Sequence, residues 1–142
     1  MRFMMLMLPQ GYEKAAPGTL PDAKAVAAMM KYNESLQQAG VLLAIDGLQP
    51  PSTGARVAFA HGNAKVTDGP FAETKDVLGG YWMIQAKSKE EAIEWAKRCP
   101  AREGDVIEIR QVQELTDFPP DVQAVADAHP ALKARFGAHK SA

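Results

Sequence analysis

A chain of 142 residues with 46% hydrophobic and 23% charged side chains has the material for one domain with a real core. Its formal net charge of −1 excludes a strong basic field for nucleic acid or an anionic membrane surface. Cys99, the single cysteine, excludes an internal disulfide and fits a reducing, cytoplasmic setting.

Phe3–Leu8 is apolar at every position. The run is shorter than the roughly 7–15 residues of a signal-peptide core and far short of the about 20 that cross a bilayer. A strand covered on both faces is therefore expected. A Pro- and Gly-rich loop leads into a helix over about Leu20–Ala39. Thr19 and Asp22 are spaced as a capping box, and Val26, Met29, Met30, Asn33 and Leu36 recur at helical spacing. Gly40 fits the left-handed position just past the helix end.

Val41–Leu48 reads as the second strand, ended by Pro50 and Pro51. A hairpin follows: Arg56–Ala60 out, His61-Gly62-Asn63 around, Ala64–Thr67 back. The segment TDGPFAETKDVLGGYW (Thr67–Trp82) then combines a tight turn, alternating charges and a Gly-Gly entry into a strand over Gly80–Ala86. Within it Asp68 is expected to bond nearby amides, Gly69 to take an unusual φ, and Phe71 to anchor the loop in apolar surroundings. Ser88 and Glu91 form a capping box for a helix to about Arg98, with Ala92, Trp95, Ala96 and Cys99 as its buried stripe. Asp105–Val112 is the last strand. The tail is helical in pattern over Asp121–Phe136, with a break near His129-Pro130.

This order predicts an α+β, ferredoxin-like β-α-β, hairpin, β-α-β fold. Two helices would cover one face of an antiparallel sheet. Residues 1–114 are expected to form this domain and residues 115–142 a C-terminal helical extension. Strand alternation assigns Val41, Leu43, Ile45, Trp82, Ile84, Ile107 and Ile109 to the helix side. It leaves Leu42, Ala44, Asp46, Leu48, Tyr81, Met83, Gln85, Glu108, Arg110 and Val112 on the other. That face is too apolar for water and too polar for a plain core, which suits a homodimer with a cleft for the polar groups. The alternative is a monomer covered by its own tail.

The segment VTDGPFAETKDVLGGYW resembles the signature of the DGPF-domain proteins, a branch of the YCII-related family. LQQAGVLLAIDGLQPP (Leu36–Pro51), the GYWMI strand and the EEAIEWAKRCP helix support the resemblance, which covers about Arg2–Val112. It implies a dimeric α/β barrel, two ferredoxin-like subunits joined sheet to sheet. The family has no settled activity. Some YCII-like members carry a His–Asp pair proposed as catalytic. This chain departs from them, with no His in its first strand, its first helix or the loop between. DGPF-domain proteins are also associated with extracytoplasmic-function sigma factors, which implies a regulatory setting.

Among the residues themselves, Asp46 is the first candidate for catalysis, since burial on the mixed face would suit it to proton transfer. The competing reading is a salt bridge to Arg110 or Arg56. Asp68 is a second candidate and otherwise a turn acceptor. Glu73 and Lys75 stand two apart and suit a polar or acidic ligand; Tyr81, Gln85, Glu108 and Arg110 complete the ligand-binding set. His61 reads as a turn residue, and His129 and His139 lie in or near the tail without metal-ligand spacing. Cys99 reads as a core thiol and Met4, Met5, Met7, Met29 and Met30 as core filler. Phosphate loops, dinucleotide fingerprints and serine elbows are absent, so no cofactor is expected. Three functions stay open: a small-molecule enzyme using carboxylate acid–base chemistry, a ligand sensor without chemistry, and a protein-interaction module.

Overall fold

The computed structural model describes residues 1–72 and 75–136. Its strands are β1 (Arg2–Leu8), β2 (Leu42–Gly47), β3 (Ala55–Ala60), β4 (Asn63–Asp68), β5 (Gly80–Gln85) and β6 (Val106–Gln111). Its helices are α1 (Ala23–Gln38), α2 (Lys89–Lys97), α3 (Pro120–Asp127) and α4 (Pro130–Lys133). The main sheet runs β2-β5-β1-β6 with every neighbouring pair antiparallel, and β3 and β4 form a separate two-stranded sheet. This is the ferredoxin-like plan with a hairpin inserted between β2 and β5.

The inner position of β1 follows from its composition, because a strand apolar in both phases needs cover on both faces. Phe3, Met5 and Met7 point into the core with Trp82 and Ile84 of β5, Tyr32 and Leu36 of α1 and Ala92 of α2. Burying one such side chain contributes about 1.5–3 kcal/mol. Tyr32 meets Trp82 edge-on, with ring centroids 5.8 Å apart, and its hydroxyl donates to the Trp95 carbonyl at 2.9 Å. α2 buries the expected stripe, with Trp95, Ala96 and Cys99 half-buried against the core. The Ser88 side chain accepts from the Glu91 amide, as its capping position requires.

α1 departs from expectation at both its start and its face. Asp22 is itself the cap, accepting from the Ala25 amide at 2.7 Å, while the Thr19 hydroxyl donates back to the Ala16 carbonyl. The buried side is Tyr32 and Leu36 with Met29 beside them, and Val26 and Met30 face solvent. The far end behaves as predicted. Gly40 takes φ of 72°, its amide bonds the Gln37 carbonyl and the Val41 amide bonds the Leu36 carbonyl, the Schellman pattern.

A bulge in β2 corrects the face assignment there. Leu42 stands opposite Ile84, but Ala44 stands opposite Met83, so one extra residue sits between them. Leu42 therefore packs on the core rather than on the outer face, while Ala44 and Asp46 keep the outer phase. The hairpin forms as expected but turns more tightly, because Asn63 pairs with Ala60 and only His61 and Gly62 make the turn; both have positive φ, 50° and 77°, the pattern that matches strand twist in two-residue turns.

Gly69 is needed for a reason other than its φ. A Cβ there would lie 1.7 Å from the Pro51 carbonyl oxygen, so the two chain segments at the hairpin base touch backbone to backbone. The Gly69–Pro70 bond is cis. Phe71 lies under the Arg56 guanidinium, 4.1 Å from the ring centroid. The loop is thus anchored by a cation–π contact instead of an apolar socket.

Beyond β6 the chain is tied back to Arg2, whose carbonyl accepts from the Val112 amide at 2.9 Å. Arg2, 6% exposed on the outer face, donates to Glu114 from Nε at 2.7 Å and from Nη2 at 3.2 Å. α3 and α4 then pack against each other and leave Val122, Val125, Leu132 and Phe136 exposed.

Candidate functional site

The outer face of the sheet can be read row by row from the register. Ala44, Met83, Met4 and Arg110 form one row; Asp46, Tyr81, Leu6 and Glu108 form the next. Gln85 stands opposite Arg2 at one end, and Leu8 opposite Val106 at the other. The middle is apolar and half-buried; the polar groups are Arg2 and Gln85 at one end, Tyr81 beside Asp46 of the β2 edge, and Glu108 and Arg110 on the β6 edge.

Sheet order decides the competing reading of Asp46. β2 and β6 are opposite edges, so Asp46 and Arg110 are separated by three strand spacings, about 14 Å. Arg110 pairs with Glu108 at 3.5 Å on its own strand, and Arg56 is engaged with Phe71. Neither reaches Asp46. The Asp46 partner is Tyr81, directly opposite on β5, whose hydroxyl donates to Asp46 Oδ2 at 2.7 Å. That hydrogen bond, followed by burial and by the charge of the carboxylate, holds the Tyr81 phenol above its ordinary value. Asp46 itself is exposed, so this chain alone does not supply the burial expected of it.

Asp46 and Tyr81 border a cavity of about 480 Å³ at the ends of β1, β2 and β5, beneath the start of α1. Met7, Met29, Ile45 and Trp82 form much of its apolar lining. Asn33 accepts from the Trp82 indole nitrogen at 2.8 Å, which fixes the ring at the cavity wall. The Tyr12 hydroxyl donates to the Leu48 carbonyl at 2.7 Å and ties the loop after β1 to the end of β2. Burial raises the Tyr12 phenol above its usual range. Gly79 and Gly80 permit the strand entry here: a Cβ on Gly80 would meet the Asp46 carbonyl oxygen at 2.8 Å, and one on Gly79 the Pro9 ring at 2.4 Å.

The other candidate residues are dispersed. Asp68 ends β4, is exposed, and makes none of the amide bonds expected of it among the described residues. Lys75 is exposed and lines a second cavity, of about 750 Å³, with Phe71 and Ser52. Glu73 lies outside the described residues, as does His139. Gln85, Glu108 and Arg110 are exposed on the outer face and do not line the cavity beside Asp46. His61 occupies the exposed hairpin turn and His129 precedes α4. Among the described residues no group of three or more His, Cys, Asp or Glu is arranged to hold a metal ion. No helix among them is long and apolar enough to cross a membrane. Burial pushes the Cys99 thiol up to about 11, with the Asp105 charge adding to it.

Sequence reasoning missed Asn33 and Tyr12 as site residues. Asn33 falls on the predicted buried face of α1, and only the position of Trp82 reveals its acceptor role. Tyr12 sits in a loop whose path no periodicity describes. Arg2 was also missed, since its partner Glu114 is 112 positions away.

Fold and cavity together define a small ferredoxin-like domain with a ligand-sized hollow at one end of its sheet. The YCII-related domain model matches residues 1–116, and the chain belongs to that family. It is 32% identical over 76 residues to an uncharacterised protein of Rhizobium meliloti (strain 1021), R00369. That match covers 54% of this chain and 61% of the relative.

Proposed function

We propose that this protein, a member of the DGPF branch of its family, binds a small polar or aromatic molecule in the cavity beside Asp46 and Tyr81. It does so as a cytoplasmic homodimer joined through the outer sheet faces into a dimeric α/β barrel. Residues 1–114 are the binding domain and residues 115–142 an extension. The observation that carries the reading is the 2.7 Å hydrogen bond between Tyr81 and Asp46 at the border of a cavity walled by Trp82, Met7 and Met29. An apolar hollow with a few convergent polar groups is the usual form of a ligand site.

In this reading Asp46 accepts a proton from the ligand and Tyr81 steadies the carboxylate. The second subunit covers Met4, Leu6, Leu8 and Met83, and removes Asp46 from bulk water. Two-fold symmetry brings the β6 edge of one copy, with Glu108 and Arg110, against the partner's sheet. Asp68 has no place in this chemistry. Binding of a metabolite panel followed by thermal shift tests the proposal. A ligand lost in Asp46→Asn and weakened in Tyr81→Phe supports it, and a ligand indifferent to both rejects it.

A second reading is favoured by the tail, where Val125, Leu132 and Phe136 are 64%, 59% and 58% exposed. An apolar tail surface suits a regulatory or sigma-factor-associated interaction module. Ligand binding without turnover, together with loss of partner binding on removing residues 119–142, supports that alternative.

A further inference from the structure

The cavity beside Asp46 is lined by one polar group whose direction the fold itself fixes. Trp82, 5% exposed, is held edge-on against Tyr32, with ring centroids 5.8 Å apart. Its indole nitrogen can only donate, so the oxygen of the Asn33 amide must be the atom that faces it, at 2.8 Å. The Nδ2 group, with its two hydrogens, is left on the other side of the same plane. Among the described residues Glu13 Oε2 is the one sealed side-chain N or O atom without a partner. Asn33 Nδ2 has no partner among them either, so it keeps open surface. Asn33 lines the cavity together with Met29, one turn earlier on α1.

The rest of the lining decides what this donor serves. Met7, Met29, Ile45 and Trp82 are apolar, and none of the lining residues is a Lys, Arg or His. An anionic group would lose its water there with no cation to meet it, which is costly. Asp46, the one carboxylate on the border, would repel it further. An uncharged carbonyl oxygen is free of both penalties and is the ordinary partner of an amide N–H.

Resting on the reading that this cavity takes a small molecule, we propose that its ligand is an uncharged carbonyl compound with an apolar body of ring size, and that Asn33 determines this specificity by donating from Nδ2 to the carbonyl oxygen. The volume of about 480 Å³ suits such a body. The ring lies against Trp82 and the thioethers of Met7 and Met29, a favourable contact for sulfur. Trp82 is then a positioning residue as well as a wall, since its N–H sets which way the Asn33 amide points.

The test is saturation-transfer NMR titration of the full chain with acetophenone, ethylbenzene, benzoate and benzylamine. Acetophenone is expected to bind, ethylbenzene, which lacks the acceptor, to bind roughly tenfold more weakly, and benzoate more weakly still. Asn33→Asp keeps an oxygen for the indole but removes the donor. It is expected to lose acetophenone roughly tenfold and to gain benzylamine, with tryptophan emission unchanged. Ethylbenzene or benzoate binding as tightly as acetophenone, or no probe binding at all, overturns the proposal on the parent protein alone, so the test holds even if Asn33→Asp fails to fold. Acetophenone indifferent to Asn33→Asp also overturns it, whatever Asp46→Asn does. Acetophenone lost in Asn33→Asp but indifferent to Asp46→Asn and Tyr81→Phe supports this assignment and rejects the role given to Asp46 above.

Discussion

At the scale of single residues, two glycines of one hairpin make opposite demands. Gly62 needs its positive φ in open space, so Gly62→Ala is expected to cost about 1 kcal/mol from backbone strain alone. Gly69 needs the missing Cβ, because an alanine there would overlap the Pro51 carbonyl oxygen. Gly69→Ala is expected to cost about 2 kcal/mol or more, since neither backbone can yield without moving the hairpin base. Urea denaturation of the two variants gives the comparison, and equal costs would contradict the contact. Gly69 stood out in the sequence as a turn residue, yet its reason did not. A turn glycine announces conformational freedom, whereas a close approach depends on a segment eighteen positions earlier in the chain. Asp46 was likewise legible as a carboxylate on the outer face. Its partner was not, because opposite positions on β2 and β5 follow from a bulge at Leu43 that alternation alone does not reveal.

Elements show which kinds of pattern survive folding. β1, α2 and the hairpin around His61-Gly62 were readable because each is governed by local rules: uniform apolarity, a capping pair and a glycine-containing turn, although Asn63 belongs to the strand and not to the turn. The face of α1 was not, because Met30 and Val26 look apolar but the core takes Tyr32, whose hydroxyl finds the Trp95 carbonyl. Ile84 on β5 is fully buried, and Ile84→Ala is expected to cost about 2–5 kcal/mol. Ile45 on the edge strand is 37% exposed, and the same change there is expected to cost markedly less. Where α1 and α2 meet, the Tyr32 phenol is raised mainly by burial, and the Cys99 thiol is pushed up to about 11 from 9.0. Both groups hold their protons more tightly folded than unfolded. Their contribution is therefore fully present below about pH 9 and is lost as pH rises towards 11 and beyond. Chemical denaturation is expected to shift to lower urea across that interval, and Cys99→Ala should flatten its lower part.

For the molecule as a whole, the described chain presents two exposed apolar surfaces, the hairpin face with Val57, Phe59 and Val66 and the tail, and a half-buried one, the middle of the outer sheet. An isolated two-stranded hairpin is marginal in water, and its apolar face argues for cover from another chain. If the outer face is the dimer seam, Leu6→Asp is expected to yield monomers by sedimentation velocity while the helix-side core keeps its circular dichroism. A dimer that survives Leu6→Asp would refute the barrel. Arg2→Ala removes a buried side chain and its bidentate hydrogen bonds to the part-buried Glu114 at the same face, and is expected to cost about 1–3 kcal/mol.

The order β2-β5-β1-β6 has a consequence for how the protein is made. The first of its strands to be synthesised occupies an interior place and waits for both neighbours, β5 from residue 80 and β6 from residue 106. This Met-rich apolar strand must therefore remain unpaired while most of the domain is synthesised. Refolding is governed by distant pairings and belongs with the slower of the mixed folds.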